Sequence, residues 1–208
     1  MIAYKFLRDG QVGPFSGVRW PPAGVWLQAT GGGRACERRI HGCRLEDLPE
    51  WMDNELWRVE LDGDVRVDCG KLVAGSGRLV EQVTVWDADL MAQFAEVCAL
   101  RARDAALTVL ASGSARDALA SCATARAIEV AAAELEGPDA RGRRAAGYAA
   151  DAARHVLSAL AAPATAPTHA AVNGFIAAHA AAFAADDVAA APRERAWQAA
   201  WIAGRLGL

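Results

Sequence analysis

The sequence predicts an α+β fold, in which a small, mainly antiparallel sheet with one short helix precedes an alanine-rich antiparallel helical bundle. The first observation is a shift in composition, because only 5 of the 50 alanines precede residue 87, whereas 5 of the 7 tryptophans do. The second is a change in hydrophobic pattern, from alternation over short runs to a helical repeat. We therefore predict a Trp- and Cys-rich α+β domain at residues 1–86 and an Ala-rich helical domain of about five helices at residues 87–208.

Short β-rich runs separated by turn residues predict the strands of the first domain. The run at residues 2–7 predicts an opening strand, which Asp9 and Gly10 end as a turn. The other runs predict strands at residues 25–27, 40–43, 71–74 and 79–85 and a helix at residues 45–52.

The clearest local signal is a run at residues 56–61, in which Trp57, Val59 and Leu61 alternate with polar residues. Alternation places these three side chains on one buried face. An Asp-Gly step follows, and such a step between alternating runs is typical of a hairpin turn. We therefore predict a hairpin that pairs residues 56–61 with residues 65–67.

Helical repeats interrupted by capping residues predict the second domain. Asp87 is expected to cap the first helix, and Ser114 with Asp117 resembles a capping box. Thr168 is expected to cap the fourth helix, and Pro192 lies in the first turn of the last. The five helices are expected at about residues 88–110, 114–135 with Gly137-Pro138 after it, 141–160, 168–183 and 192 onward. Short connections favour antiparallel neighbours.

Charge and cysteine usage narrow the class of protein. The net charge is −3, and 11 basic against 12 acidic residues up to Trp86 leave no basic face for nucleic acid. Five cysteines are an odd number, and the first residues show no signal-peptide pattern, so we expect a cytoplasmic chain with reduced thiols. The longest apolar runs are mostly alanine, so no membrane span is expected.

Several motifs over residues 1–86 resemble an uncharacterised domain family of bacteria and phages. The family has a Tyr-Lys opening strand, a later cysteine followed by His-x-Cys, and a Leu-Trp-x-Val-Glu-Leu-x-Gly run. The matching residues are Tyr4-Lys5-Phe6-Leu7, Gly13-Pro14-Phe15-Ser16, Cys36, Ile40-His41-Gly42-Cys43, Glu46-Asp47-Leu48-Pro49 and Leu56 to Gly63. Arg39 departs from the glycine that the family often has there. The resemblance implies a domain boundary and no assigned activity.

The order of elements in the first domain is also similar to the ADP-ribosyltransferase fold. This weaker resemblance implies a nucleotide-binding site with a histidine or arginine on an early strand and a late catalytic glutamate. Here the early strand offers Tyr4 and Lys5, His41 is the histidine of the site, and Glu81 is the late carboxylate. The cofactor implied is NAD.

Cysteine and histidine side chains near residue 40 are candidates for a structural zinc site. Cys36, His41, Cys43 and Cys69 supply the ligand types of a Cys3His centre. Their spacing lacks a tight Cys-x2-Cys knuckle, and cysteine is also a common core residue, so strand packing is the preferred interpretation and no cofactor is expected. A Cys43 nucleophile with His41 as its base is the remaining alternative.

Tryptophans are the candidates for an interaction surface. Trp20 and Trp26 lie in loop-rich sequence, and Trp197 and Trp201 stand four residues apart on the last helix. Aromatic side chains are favoured at recognition surfaces. We therefore predict a non-enzymatic interaction or accessory protein whose partner is another protein or a second copy of the chain. The alternative is a nucleotide-binding enzyme, intact or degenerate, that is similar to ADP-ribosyltransferases.

Overall fold

A computed structural model describes residues 1–30, 39–68, 70–135 and 139–208. The chain divides into two compact units: Met1–Asp87 together with Ala199–Leu208, and Ala88–Gln198. The first unit holds the strands and the second is helical, which confirms the predicted α+β fold class. The sequence analysis divides the chain one residue earlier and leaves residues 199–208 with the helices.

Two small antiparallel sheets make up the β part of the first unit. Their strands are β1 (Ile2–Leu7), β2 (Leu27–Gln28), β3 (Ile40–Gly42), β4 (Glu55–Asp62), β5 (Arg66–Asp68), β6 (Lys71–Ala74) and β7 (Ser76–Gln82). The first sheet has the order β1-β4-β7-β2, and the second has the order β3-β6-β5. In β4 the side chains of Trp57, Val59 and Leu61 are buried, as their alternation predicts.

The predicted hairpin between residues 56–61 and 65–67 is wrong. Strand β4 pairs with β1 on one edge and with β7 on the other, and β5 pairs with β6 in the second sheet. A strand has only two edges, so β4 has none left for β5. The turn after Asp62 does form, with Gly63 at φ 68° and Asp64 at φ 48°, but it directs the chain to the other sheet.

Smaller differences occur in the elements around these strands. The helix expected at residues 45–52 is a 3-10 helix, Leu45–Glu50, with Pro49 inside it. Proline lacks the backbone N–H that a continuing α-helix requires. Strand β2 is only two residues long, and β7 begins three residues earlier than expected.

Six α-helices occur in the described part of the chain after Asp87, where about five were predicted. They are α1 (Ala88–Val109), α2 (Ser114–Ser121), α3 (Ala125–Ala133), α4 (Ala140–Ala161), α5 (Ala166–Ala185) and α6 (Ala190–Leu206), of which residues up to Gln198 belong to the second unit. None of the helices that the structure describes is both long and apolar enough for a membrane crossing.

The extra helix arises because the expected 114–135 helix is broken. Cys122 has extended backbone angles, and the Thr124 side chain accepts a hydrogen bond from the Ala127 N–H, which starts a new helix. The expected capping box of Ser114 is also wrong, because the N-cap position is Gly113 and no side chain caps it. Gly137-Pro138, the predicted stop signal, lies outside the described residues.

Helices α4 and α5 begin close to the residues that the sequence predicts. Helix α4 begins after Asp139, whose Oδ1 accepts a hydrogen bond of 2.7 Å from the Gly142 N–H. Helix α5 begins at Ala166, two residues before the predicted cap Thr168, with Pro167 in its first turn. Proline is well tolerated there because its missing N–H has no helical partner in any case.

Alanine forms most of the core of the second unit. Helix α1 buries Ala95, Ala99 and Ala102 completely, and α4 likewise buries Ala149 and Ala152. Larger buried side chains, Leu119, Ile128 and Val156, join the same cluster. Because the distance between packed helices depends on the side chains at the contact, alanine allows close approach and leaves no space for larger residues.

We expect Ala99→Leu to lower the free energy of unfolding by about 1–3 kcal/mol, because the added carbons must enter a full interface. Ala120→Leu is the matched control on the exposed face of α2, and its effect should stay within about 0.5 kcal/mol. Urea denaturation measures both. Equal effects of the two substitutions would contradict the close packing of α1.

Candidate functional site

The first unit contains a cavity of about 370 Å³. Its wall includes residues of β1 and β3, the loop at residues 13–20 and the segment around β2. The aromatic side chains in this wall are Tyr4, Phe6, Phe15, Trp20 and Trp51. A cavity of this size, mostly apolar and with a few polar groups, is typical of a small-molecule site.

Strand β1 and the end of β3 meet at one pair of residues. The Tyr4 N–H donates to the Cys43 carbonyl at 2.9 Å, and the Cys43 N–H donates to the Tyr4 carbonyl at 2.7 Å. Gly42 makes this approach possible, because a Cβ there would lie 3.2 Å from the Tyr4 carbonyl oxygen and 3.1 Å from Leu61. The pairing brings Tyr4 and His41, two of the predicted site residues, into the same cavity wall.

Lys5 places an amine in this wall, and no carboxylate of the described residues forms an ion pair with it. Its Nζ donates to the His41 carbonyl oxygen at 2.9 Å and lies 5.1 Å from the centre of the Trp20 ring. The residue keeps partial exposure towards the cavity, although protein surrounds the amine. Burial lowers the pKa of Lys5 from 10.5 to about 8; Cys43 acts in the opposite direction and the Lys71 charge lowers the pKa further.

Lys71 supplies the second amine of the cavity. Its Nζ lies 4.1 Å from the centre of the Trp51 ring and 5.4 Å from that of Phe15, and the two rings meet edge to face at 6.4 Å. The chain has 20 arginines and only two lysines, and both lysines line this cavity. The rarity of lysine in this arginine-rich sequence is a signal that could have pointed to both residues, of which only Lys5 was considered, as a neighbour of Tyr4.

The polar groups of the cavity are biased towards positive charge and hydrogen-bond donors. Among the described lining residues there is no aspartate or glutamate, whereas Lys5, Lys71, Arg39 and His41 are present. Within the described part of the chain, Arg39 Nε and Trp51 Nε1 are buried and have no hydrogen-bond partner. The excess of cationic side chains among the described lining residues therefore favours a ligand that carries negative charge.

Glu81 lies outside this cavity. It is exposed on β7 and its Oε2 lies 3.3 Å from Arg58 Nη1 on the neighbouring strand. The structure therefore brings Tyr4 and His41 together but does not bring Glu81 to them. Burial raises the pKa of the Cys43 thiol to about 12, so Cys43 is held as a neutral thiol rather than a nucleophilic thiolate.

Two of the four proposed zinc ligands, Cys36 and Cys69, fall outside the described residues. His41 and Cys43 line the cavity, and no three metal-binding side chains of the described ranges lie close enough together to hold a metal ion.

The four tryptophans predicted as interaction residues have different environments. Trp20 is buried in the cavity wall, whereas Trp26 is half-buried and lies 4.9 Å beneath the Arg78 guanidinium. Trp197 packs 3.8 Å from the Arg101 guanidinium, and Trp201 lies 5.5 Å from that of Arg205. Trp20 is thus the one of the four that lines the cavity.

Comparisons with family models, with curated proteins and with solved structures find no match to this chain. The resemblance to a bacterial and phage domain family and to ADP-ribosyltransferases therefore stays a prediction from the sequence. The geometry of the cavity is the basis for any functional proposal.

The depressed pKa of Lys5 predicts a specific dependence of stability on pH. Between about pH 8 and pH 10.5 the unfolded chain still binds a proton that folded Lys5 has lost, so stability rises with pH across this window. Lys5→Met removes this contribution. Relative to the variant, the wild type should therefore gain unfolding free energy as the pH rises from about 7 to about 10.

Urea denaturation at several pH values measures the difference in unfolding free energy between the wild type and Lys5→Met. The change of this difference with pH does not depend on the hydrogen bond to His41 that the substitution removes. Arg58→Met is the control, because it removes an exposed charge that does not titrate in this range. A difference between the wild type and Lys5→Met that stays constant with pH would show that Lys5 is not desolvated.

Proposed function

We propose that the first unit is a ligand-binding module that takes a small aromatic carboxylate into the cavity between β1, β3 and the 13–20 loop. The chain would act as a non-enzymatic accessory protein of bacterial or phage type in the cytoplasm. The observation that carries the proposal is a mostly apolar cavity, lined by five aromatic side chains, that holds both lysines and no carboxylate among its described lining residues.

The aromatic wall supports a flat apolar ligand body. Phe15 is 84% exposed at the rim, while Trp20 is 4% exposed in the wall, so an entering ring meets aromatic surface along its path. Offset or edge-to-face aromatic contacts stabilise such a ring beyond the gain from burying its area. The volume of about 370 Å³ suits one or two fused rings rather than a peptide segment.

The donors of the wall support a negatively charged end on that ligand. Lys71 makes contacts with two aromatic rings but no ion pair among the described residues, so its ammonium is available to a carboxylate. Arg39 adds a second cation. Hydrogen bonds to charged groups contribute about 1.5–3 kcal/mol, which is enough to distinguish a carboxylate from its neutral amide.

The alternative of an enzyme similar to ADP-ribosyltransferases has less support. It requires a carboxylate in the same site as Tyr4 and His41, and Glu81 pairs with Arg58 outside the cavity. NAD remains the ligand that would test this alternative. Binding of another protein or a second copy of the chain through Trp197 and Trp201 is a separate prediction that the cavity does not address.

Isothermal titration calorimetry with three ligands of the same shape tests the proposal: 2-naphthoate, 2-naphthamide and 2-naphthylmethylamine. We expect the carboxylate to bind at least about tenfold more tightly than the amide, and the amine to bind most weakly, because only the carboxylate pairs with Lys71. Lys71→Gln should remove most of this preference.

Arg58→Gln is the matched control, because it removes one positive charge from an exposed ion pair between β4 and β7 that does not line the cavity. It should leave the preference intact. Equal affinity for the carboxylate and the amine would overturn the proposal. Tight binding of NAD that Glu81→Gln abolishes would instead favour the enzyme.

A further inference from the structure

We propose that the ε-amino group of Lys5 forms a Schiff base with an aldehyde or ketone carried by the aromatic ligand of this cavity. This inference rests on the proposed ligand pocket and adds to it a covalent step and a substrate class, the aromatic aldehydes and 2-oxo acids that bear a carboxylate. Lys71 would pair with the carboxylate, and Lys5 would react with the carbonyl carbon.

The first support is the fixed position of the amine. Lys5 is on β1, in register with Trp57 of β4, and its Nζ is held by the His41 carbonyl at 2.9 Å. The Trp20 ring covers another side at 5.1 Å. Among the described residues no carboxylate forms an ion pair with this amine, so a carbonyl compound would not have to displace one.

The second support is the local charge. Burial and, to a smaller extent, the Lys71 charge disfavour the ammonium form of Lys5, and a hydrophobic surrounding together with a neighbouring cation is a known means of activating a lysine nucleophile. The other titratable or charged lining groups are Tyr4, Arg39, His41 and Cys43. Cys43 is held as a neutral thiol by burial, which raises its pKa to about 12, so it does not supply a thiolate partner for the ammonium near neutral pH.

These surroundings determine what fraction of the Lys5 amine is unprotonated and therefore able to react. With the pKa of Lys5 lowered to about 8, roughly a fifth of the side chain is neutral at pH 7.4. An ordinary lysine is neutral to only about 0.1% at the same pH. The neutral amine is the nucleophile, so Lys5 should react much faster than an exposed lysine.

The reaction is balanced without a further reactant. The lone pair of neutral Nζ attacks the carbonyl carbon, and a proton moves from nitrogen to the carbonyl oxygen to give a carbinolamine. The C–O bond then breaks as the nitrogen lone pair forms the C=N bond. The hydroxyl leaves with the second amine proton as water, and the imine remains on Lys5.

Reductive trapping of the full-length chain with 4-formylbenzoate and sodium cyanoborohydride at pH 7.4 tests the inference. Each trapped imine adds the mass of the aldehyde less one oxygen atom. Lys5, Lys71 and the Met1 amino group are the primary amines of the chain, and peptide mapping separates them. We expect an adduct at Lys5 that competition by 2-naphthoate reduces, and labelling of the amino group of the exposed residue Met1 that this competition does not reduce.

The control is Arg58→Lys, which introduces an exposed lysine outside the cavity. Lys5 should be labelled at least about tenfold faster than the amine introduced by this substitution, because of its larger neutral fraction. Lys5→Arg keeps a cation at the site and should lose the adduct. The comparison within the Arg58→Lys chain still holds if Lys5→Arg does not fold.

Equal labelling of Lys5 and of the introduced amine would overturn the covalent step. If 2-naphthoate binds and Lys5 is not labelled preferentially, the pocket proposal stands and this inference fails. If Lys5 is labelled preferentially but no carboxylate preference is measured, the amine is reactive and the proposed anion recognition fails.

Discussion

The two backbone hydrogen bonds between Tyr4 and Cys43 are the constraint on which the candidate site depends. Strand β1 uses one edge to pair with β4, and at its other edge these bonds join it to the end of β3. Gly42 permits the close approach, since any larger residue would meet the Tyr4 carbonyl. As a result the His41 carbonyl lies within hydrogen-bonding distance of Lys5, and the two strands form one wall of the cavity.

The local sequence was sufficient to predict those strands and helices whose conformation does not depend on contacts with distant parts of the chain. Residues 2–7 and 71–74 form strands as their composition predicts, and the alanine-rich segments are helical. The hairpin prediction was wrong for a non-local reason. The turn after Asp62 forms, but both edges of β4 are occupied by strands distant in sequence. The prediction of one helix over residues 114–135 was wrong partly for a local reason, because Thr124 caps a new helix. A contact from another helix adds to it, since the Cys122 carbonyl accepts a hydrogen bond from Arg103 of α1.

The candidate site could be predicted only in part, because its second wall is a loop. The sequence identified Tyr4, His41 and Trp20 as side chains suited to a site, but it placed Trp20 in loop-rich sequence as part of an interaction surface. In the structure that loop returns to its own start, with Trp20 N–H donating to the Gln11 carbonyl at 2.8 Å, and the Trp20 ring becomes buried. No periodicity indicates which loop closes over a sheet, so the cavity follows from tertiary structure.

The choice of lysine rather than arginine at position 5 is the feature of the site that is hardest to explain by packing. An arginine would have more donors for the His41 carbonyl, but it stays charged at every accessible pH. Beside Lys71 and with no carboxylate among the described lining residues, a permanent charge there would be poorly solvated. Lysine eases the conflict, because its lowered pKa of about 8 lets roughly a fifth of the side chain give up the proton at pH 7.4. A side chain that destabilises the folded protein when charged and becomes a nucleophile when neutral is better suited to bind a ligand than to support the fold.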